Sequence, residues 1–104
     1  MTKEITTSNI NSILKDNRIV VMDFWADWCG PCRMLNPIIE KVSKRNKDIV
    51  VGKVDIDEHS ELAGEYNVRS IPMLLFMKEG KVVSKNTGVM SDIKIQEIIN
   101  SMKG

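Results

Sequence analysis

The sequence predicts an α/β domain: a mixed central β-sheet, built as a βαβ half followed by a ββα half, with helices on both faces. Three observations lead there. Ile19–Trp25 is a β-branched and aromatic run, the pattern of a strand buried on both faces. Leu35, Ile38, Ile39 and Val42 follow at i, i+3, i+4 and i+7, the apolar stripe of a helix. Met73–Met77 and Lys81–Lys85 then flank Lys78-Glu79-Gly80, a glycine-containing hairpin turn. A crossover followed by a hairpin gives parallel and antiparallel pairing in one sheet.

Taken in order, Ser8 is a candidate cap for a short helix with Ile10, Ile13 and Leu14 on its apolar side. The strand Ile19–Trp25 follows. Pro31 suits the first turn of the next helix, where its missing N–H costs nothing. Pro37, inside that helix, removes the bond to the Arg33 carbonyl and predicts a kink. Ile49–Asp57 reads as a strand and Ser60–Glu65 as a short helix. After the hairpin, Gly88 breaks the chain and Ser91 or Asp92 opens a last helix striped with Ile95, Ile98, Ile99 and Met102. Trp25 and the seven methionines are expected in the core.

With 104 residues, 42% of them hydrophobic and 28% charged, the chain has the make-up of one globular domain spanning 1–104. A net charge of +1 argues against nucleic acid or an anionic membrane as principal partner. Met1-Thr2-Lys3-Glu4-Ile5 lacks the basic and apolar regions of a signal peptide, and no apolar run approaches the roughly 20 residues of a membrane span. A cytoplasmic monomer is expected.

The chemistry is concentrated in Trp28-Cys29-Gly30-Pro31-Cys32, which holds both cysteines. On a helical first turn such a pair lies roughly 5 Å apart at Cα, within the range of a disulfide. A lone C-x-x-C in a reducing compartment reads as redox chemistry or metal binding. A metal is poorly supplied, because His59 is the single histidine and is remote in sequence. His59 is expected at the surface near a helix start, without a role. A pair of inert core thiols is the remaining alternative. The N–H groups and dipole of the helix favour a thiolate at Cys29 by about 0.3–1 kcal/mol. Cys29 is therefore expected to be the exposed nucleophile, and Cys32, one turn on, the shielded resolving thiol. Asp23 interrupts an apolar strand, where a carboxylate is costly and its pKa is raised unless it is paired.

Phe24-Trp25-Ala26-Asp27-Trp28-Cys29-Gly30-Pro31-Cys32 resembles the active-site segment of the thioredoxin family. The likeness continues through Pro37, Lys53-Val54-Asp55-Ile56-Asp57, Ser70-Ile71-Pro72 and Gly88, essentially the whole chain. It implies the thioredoxin fold and a general protein-disulfide reductase working through a Cys29–Cys32 couple. It implies that Asp23 lies behind Cys32 as a proton relay, that Lys53 is its charge partner, and that a cis peptide precedes Pro72. A flat apolar patch of Trp28, Gly30, Pro31, Ile71, Pro72, Gly88 and Val89 is expected to surround Cys29 and bind substrate.

No G-x-G-x-x-G loop occurs, so no cofactor is expected and electrons must come from a partner. The resemblance implies an NADPH-dependent flavin reductase as that partner. The clients it implies include ribonucleotide reductase, peroxiredoxin and methionine sulfoxide reductase. Gly30-Pro31, with no histidine between the cysteines, argues against an oxidase or isomerase. A binding subunit using the same patch without turnover is the alternative from another class. Asp27, Ser70 and Met73 depart from the commonest family pattern; Ser70 and Met73 are expected to border the substrate groove.

Overall fold

The computed structural model describes residues 2–104 and runs β1 (Lys3–Glu4), α1 (Ile10–Asp16), β2 (Ile19–Trp25), α2 (Gly30–Arg45), β3 (Val50–Asp55), α3 (Ser60–Glu65), β4 (Met73–Lys78), β5 (Lys81–Thr87) and α4 (Asp92–Lys103). The five strands form one sheet in the order β1-β3-β2-β4-β5. β2 pairs parallel with β3 and antiparallel with β4, so the apolar run Ile19–Trp25 is the middle of a mixed sheet. The central position explains why that run is apolar on both faces.

Alternation along the strands divides the core in two. Val20, Met22, Phe24, Leu75 and Met77 face α1 and α3, where Ile10, Ile13 and Leu62 meet them. Val21, Val51, Leu74 and Phe76 face the other way, against Leu35, Ile39 and Val42 of α2 and Ile95, Ile99 and Met102 of α4. Helices thus cover both faces, as the sequence predicts. α4 is fastened to α2 by the Arg45–Asp92 ion pair at 2.8 Å, and Ser91 caps it by accepting from the Lys94 N–H at 3.2 Å.

Several expectations are corrected. Asn9, not Ser8, precedes α1; its Oδ1 accepts from the Thr6 N–H at 2.7 Å, while the Ser8 hydroxyl meets Thr6 Oγ1. β3 ends at Asp55 because the Asp55 carboxylate turns back to accept from the Asp57 N–H at 2.9 Å. Pro37 lies inside α2, where the sequence places it. Met22, Met73, Met77 and Met102 are core residues, but Met34 is exposed on α2; Met1 lies outside the described residues. β1 has no counterpart in the sequence pattern. It exists through pairing with β3, where Gly52 lets it approach: a Cβ there would stand 2.9 Å from the Lys3 carbonyl oxygen and press on Ile5.

Candidate redox site

Cys29 is the residue before α2, with Gly30 and Pro31 opening the helix, and Cys32 lies in its first turn. The sequence folds this way because β2 delivers Ala26 and Asp27 into a turn closed by the Cys29 N–H on the Ala26 carbonyl at 3.2 Å. The two cysteines form a disulfide with Cα atoms 5.3 Å apart. The Cys29 sulfur also accepts from the Cys32 backbone N–H at 3.2 Å, taking the place of a capping oxygen. An anion formed at this sulfur would be held by a helix N–H and by the positive end of the dipole.

Exposure does not separate the two cysteines. Cys29 is 4% exposed and Cys32 5%, so the expected exposed nucleophile is covered. The cause is packing: both side chains join Ala26 in a small cluster against Trp25, Ile56 and Ile71. Position on the helix, not accessibility, distinguishes Cys29.

Around the pair the expected patch divides into rim and floor. Trp28, Gly30, Pro31 and Val89 are exposed, Ile71 and Gly88 half-buried, and Pro72 buried. The Ile71–Pro72 peptide is cis. Gly88, at φ 96°, donates its N–H to the Pro72 carbonyl at 2.8 Å, which joins the loop after β5 to this segment. Trp28 is anchored by Asp57, whose Oδ2 accepts from the indole Nε1 at 3.0 Å. Ser70 is exposed, and Met73 is buried in the core.

Asp23 occupies the middle of β2, in register with Lys53 of β3 and Leu74 of β4. These positions share the face that α2 covers. Asp23 is 1% exposed, and its Oδ1 has no hydrogen-bond partner. Desolvation pushes its pKa from 3.8 up to about 7, with the Lys53 charge acting in the opposite sense. Lys53 does not form an ion pair with it among the described residues. Its ammonium instead donates to Asn36 Oδ1 and lies 4.5 Å from the Trp25 ring centroid. Trp25 is accordingly half-buried, with the ammonium on one face, where a core position is expected from the sequence.

A cavity of about 300 Å³ opens here, lined by Trp25, Ala26, Cys32, Arg33, Asn36 and Lys53 among others. Arg33 closes one side by donating to the Asp27 carbonyl at 2.8 Å. No cluster of three metal-binding side chains occurs among the described residues. His59 directly precedes α3, half-buried, with Nδ1 3.0 Å from Thr7 Oγ1.

The structure adds Asp57, Ile56, Asn36 and Arg33 to the site residues expected from the sequence. The two acids of Lys53-Val54-Asp55-Ile56-Asp57 are visible as a motif, but nothing in the sequence pairs Asp57 with an indole.

The family model described as Thioredoxin matches residues 1–101. A thioredoxin of Mycoplasmoides gallisepticum is 40% identical over 98 residues, covering 93% of this chain and 98% of the relative. One of Bacillus subtilis is 43% identical over 83 residues, covering 79% and 80%. Among solved structures, a mutant thioredoxin from Halobacterium salinarum NRC-1 superposes with a TM-score of 0.91 at 33% identity, covering 99% of this chain and 90% of the other.

Proposed function

This chain belongs to the thioredoxin family, and from that premise we propose how its residues share the work of reducing a disulfide. It is a protein-disulfide oxidoreductase acting as a reductase, with Cys29 and Cys32 as the exchanging pair. The closed Cys29–Cys32 disulfide at the N-terminus of α2, under a partly apolar rim, is the observation that carries this function.

In the reduced protein the Cys29 thiolate attacks one sulfur of a client disulfide. A Cys29–client bond forms and the first client thiolate leaves. Cys32 then loses its proton and attacks the Cys29 sulfur, which closes Cys29–Cys32 and releases the second client thiolate. Two electrons pass to the client, and each thiolate takes up a proton at neutral pH. The helix N-terminus favours the thiolate at Cys29.

Asp23 takes the Cys32 proton. Its supports are burial, an oxygen without a partner and a pKa of about 7, which keep the carboxyl poised between its two forms near neutrality. Lys53 tunes Asp23 through its charge. Trp28, Gly30, Pro31, Ile71, Pro72, Gly88 and Val89 receive the client, with the Ile71 backbone pairing strand-like with an extended segment.

Members of the family work with a thioredoxin reductase and with disulfide-bearing clients. For this chain we place an NADPH-dependent flavin reductase upstream and ribonucleotide reductase, peroxiredoxin and methionine sulfoxide reductase among the clients. No described helix is long and apolar enough to cross a membrane; a cytoplasmic, monomeric carrier of one domain is the reading we adopt.

The deciding measurement is the reduction potential of the Cys29–Cys32 couple, obtained by equilibration with a thiol buffer and trapping of free thiols. A potential at or below that of the cytosolic glutathione pool is expected. One well above it makes the protein an oxidant or isomerase and reverses the direction of electron flow.

A further inference from the structure

Lys53 and Asp23 occupy paired positions on adjacent strands and the same sheet face, yet the ammonium is held elsewhere. A lysine carries its charge on a flexible four-carbon stem, so where the charge rests is decided by what grips the head. Two groups grip it in this protein: the Asn36 side-chain oxygen from α2 and the face of Trp25 from β2. Asn36 is exposed, makes no other side-chain hydrogen bond among the described residues, and lines the cavity beside Cys32. Meanwhile Asp23 Oδ1 is buried without a partner.

We propose that Asn36 is a positioning residue of the redox site: its side-chain oxygen holds the Lys53 ammonium at the cavity mouth, away from Asp23, and so leaves that carboxyl free to accept a proton. The inference deepens the assignment of Asp23 as proton relay and rests on it for its catalytic meaning. Its structural content is separate.

The other charged groups at this corner are few. Arg33 from α2 and Asp27 line the same cavity; Glu4 and Lys3 of β1 and Asp55 of β3 flank Lys53 on its outer side. In the reduced protein the Cys32 thiol on α2 joins them. Lys53 is the one charge that acts appreciably on Asp23 in the oxidised form. Moving this single ammonium therefore changes the proton affinity of Asp23 more than any neighbour does.

The test is the titration of the Asp23 side-chain carboxyl carbon, followed by nuclear magnetic resonance in the oxidised full-length protein. With Asn36→Ala the ammonium is released toward the unpartnered carboxyl, and the midpoint falls by about one unit, the lower end of what an opposite charge at 4–6 Å produces. Asn36→Asp keeps an acceptor for the ammonium and does not lower it. In a Lys53→Met background, Asn36→Ala shifts nothing. A midpoint that stays or rises in Asn36→Ala overturns the proposal, as does an equal fall in the Lys53→Met background. The pH profile of client reduction is measured alongside. If the carboxyl midpoint falls while that profile stays fixed, the relay role of Asp23 fails and the positioning role of Asn36 stands.

Discussion

The Trp28 indole Nε1 donates to Asp57 Oδ2 at 3.0 Å, although the ring is 66% exposed. A large aromatic at the rim of the redox site is thus held in one orientation before any client arrives. Ordering a side chain in advance of binding is worth about 0.5–1.5 kcal/mol.

Asp57→Ala should therefore lower kcat/KM for a protein disulfide by about two- to tenfold, through KM, while leaving reduction of a small-molecule disulfide unchanged. Steady-state kinetics on both substrates check it. Equal losses on the two would show that Asp57 supports the cysteines and not the docking rim.

Cys32→Ser should accumulate a covalent adduct between Cys29 and a client, because the second displacement is blocked. Cys29→Ser should form none. Mass spectrometry of the two variants after mixing with an oxidised client distinguishes the roles that exposure leaves equal.

Stability should fall as pH rises. Asp23 keeps its proton in the folded state up to about 7, whereas the unfolded chain releases it near 3.8. Between those values the native state binds more protons, so each step up in pH favours unfolding, and the loss levels off above 7. From pH 5 to pH 8 this one group costs on the order of 3 kcal/mol. Asp23→Asn should remove that slope and be the more stable protein at pH 8, read by urea denaturation of the oxidised forms. A wild-type profile without the decline would mean that Asp23 is not held protonated.

Gly52→Ala should destabilise by about 1–3 kcal/mol, the usual cost of forcing extra atoms into a filled space. The new Cβ meets the Lys3 carbonyl oxygen at 2.9 Å, and this carbonyl belongs to the short edge strand. Loss of β1 should appear first as faster exchange of the Ile5 amide, which bonds the Lys53 carbonyl at 2.9 Å.

Much of the architecture is legible in the sequence because its signals are repetitive. Ile19–Trp25 and the stripe Leu35, Ile39 and Val42 each repeat one choice many times, and packing against a sheet demands that repetition. β1 escapes because two exposed residues carry no period; it is a strand only by virtue of Gly52 opposite. The burial of Cys29 is equally hidden, because its cover comes from Ile56 and Ile71 in distant segments. Asn36 leaves no trace, since an exposed polar residue on a helix is ordinary until its partner on the neighbouring strand β3 is seen.

The near-complete cover of the Cys29–Cys32 disulfide has a bearing on how the oxidised carrier is recharged. Exchange between thiols and disulfides depends on access as well as on potential. A disulfide enclosed to this degree is attacked more slowly by small thiols than an open one, although it still reaches equilibrium with them. On our reading of the rim around Trp28 as the docking surface, a protein donor that fits it reaches the sulfurs sooner than a free thiol does, and the choice of electron donor follows from shape without any lid.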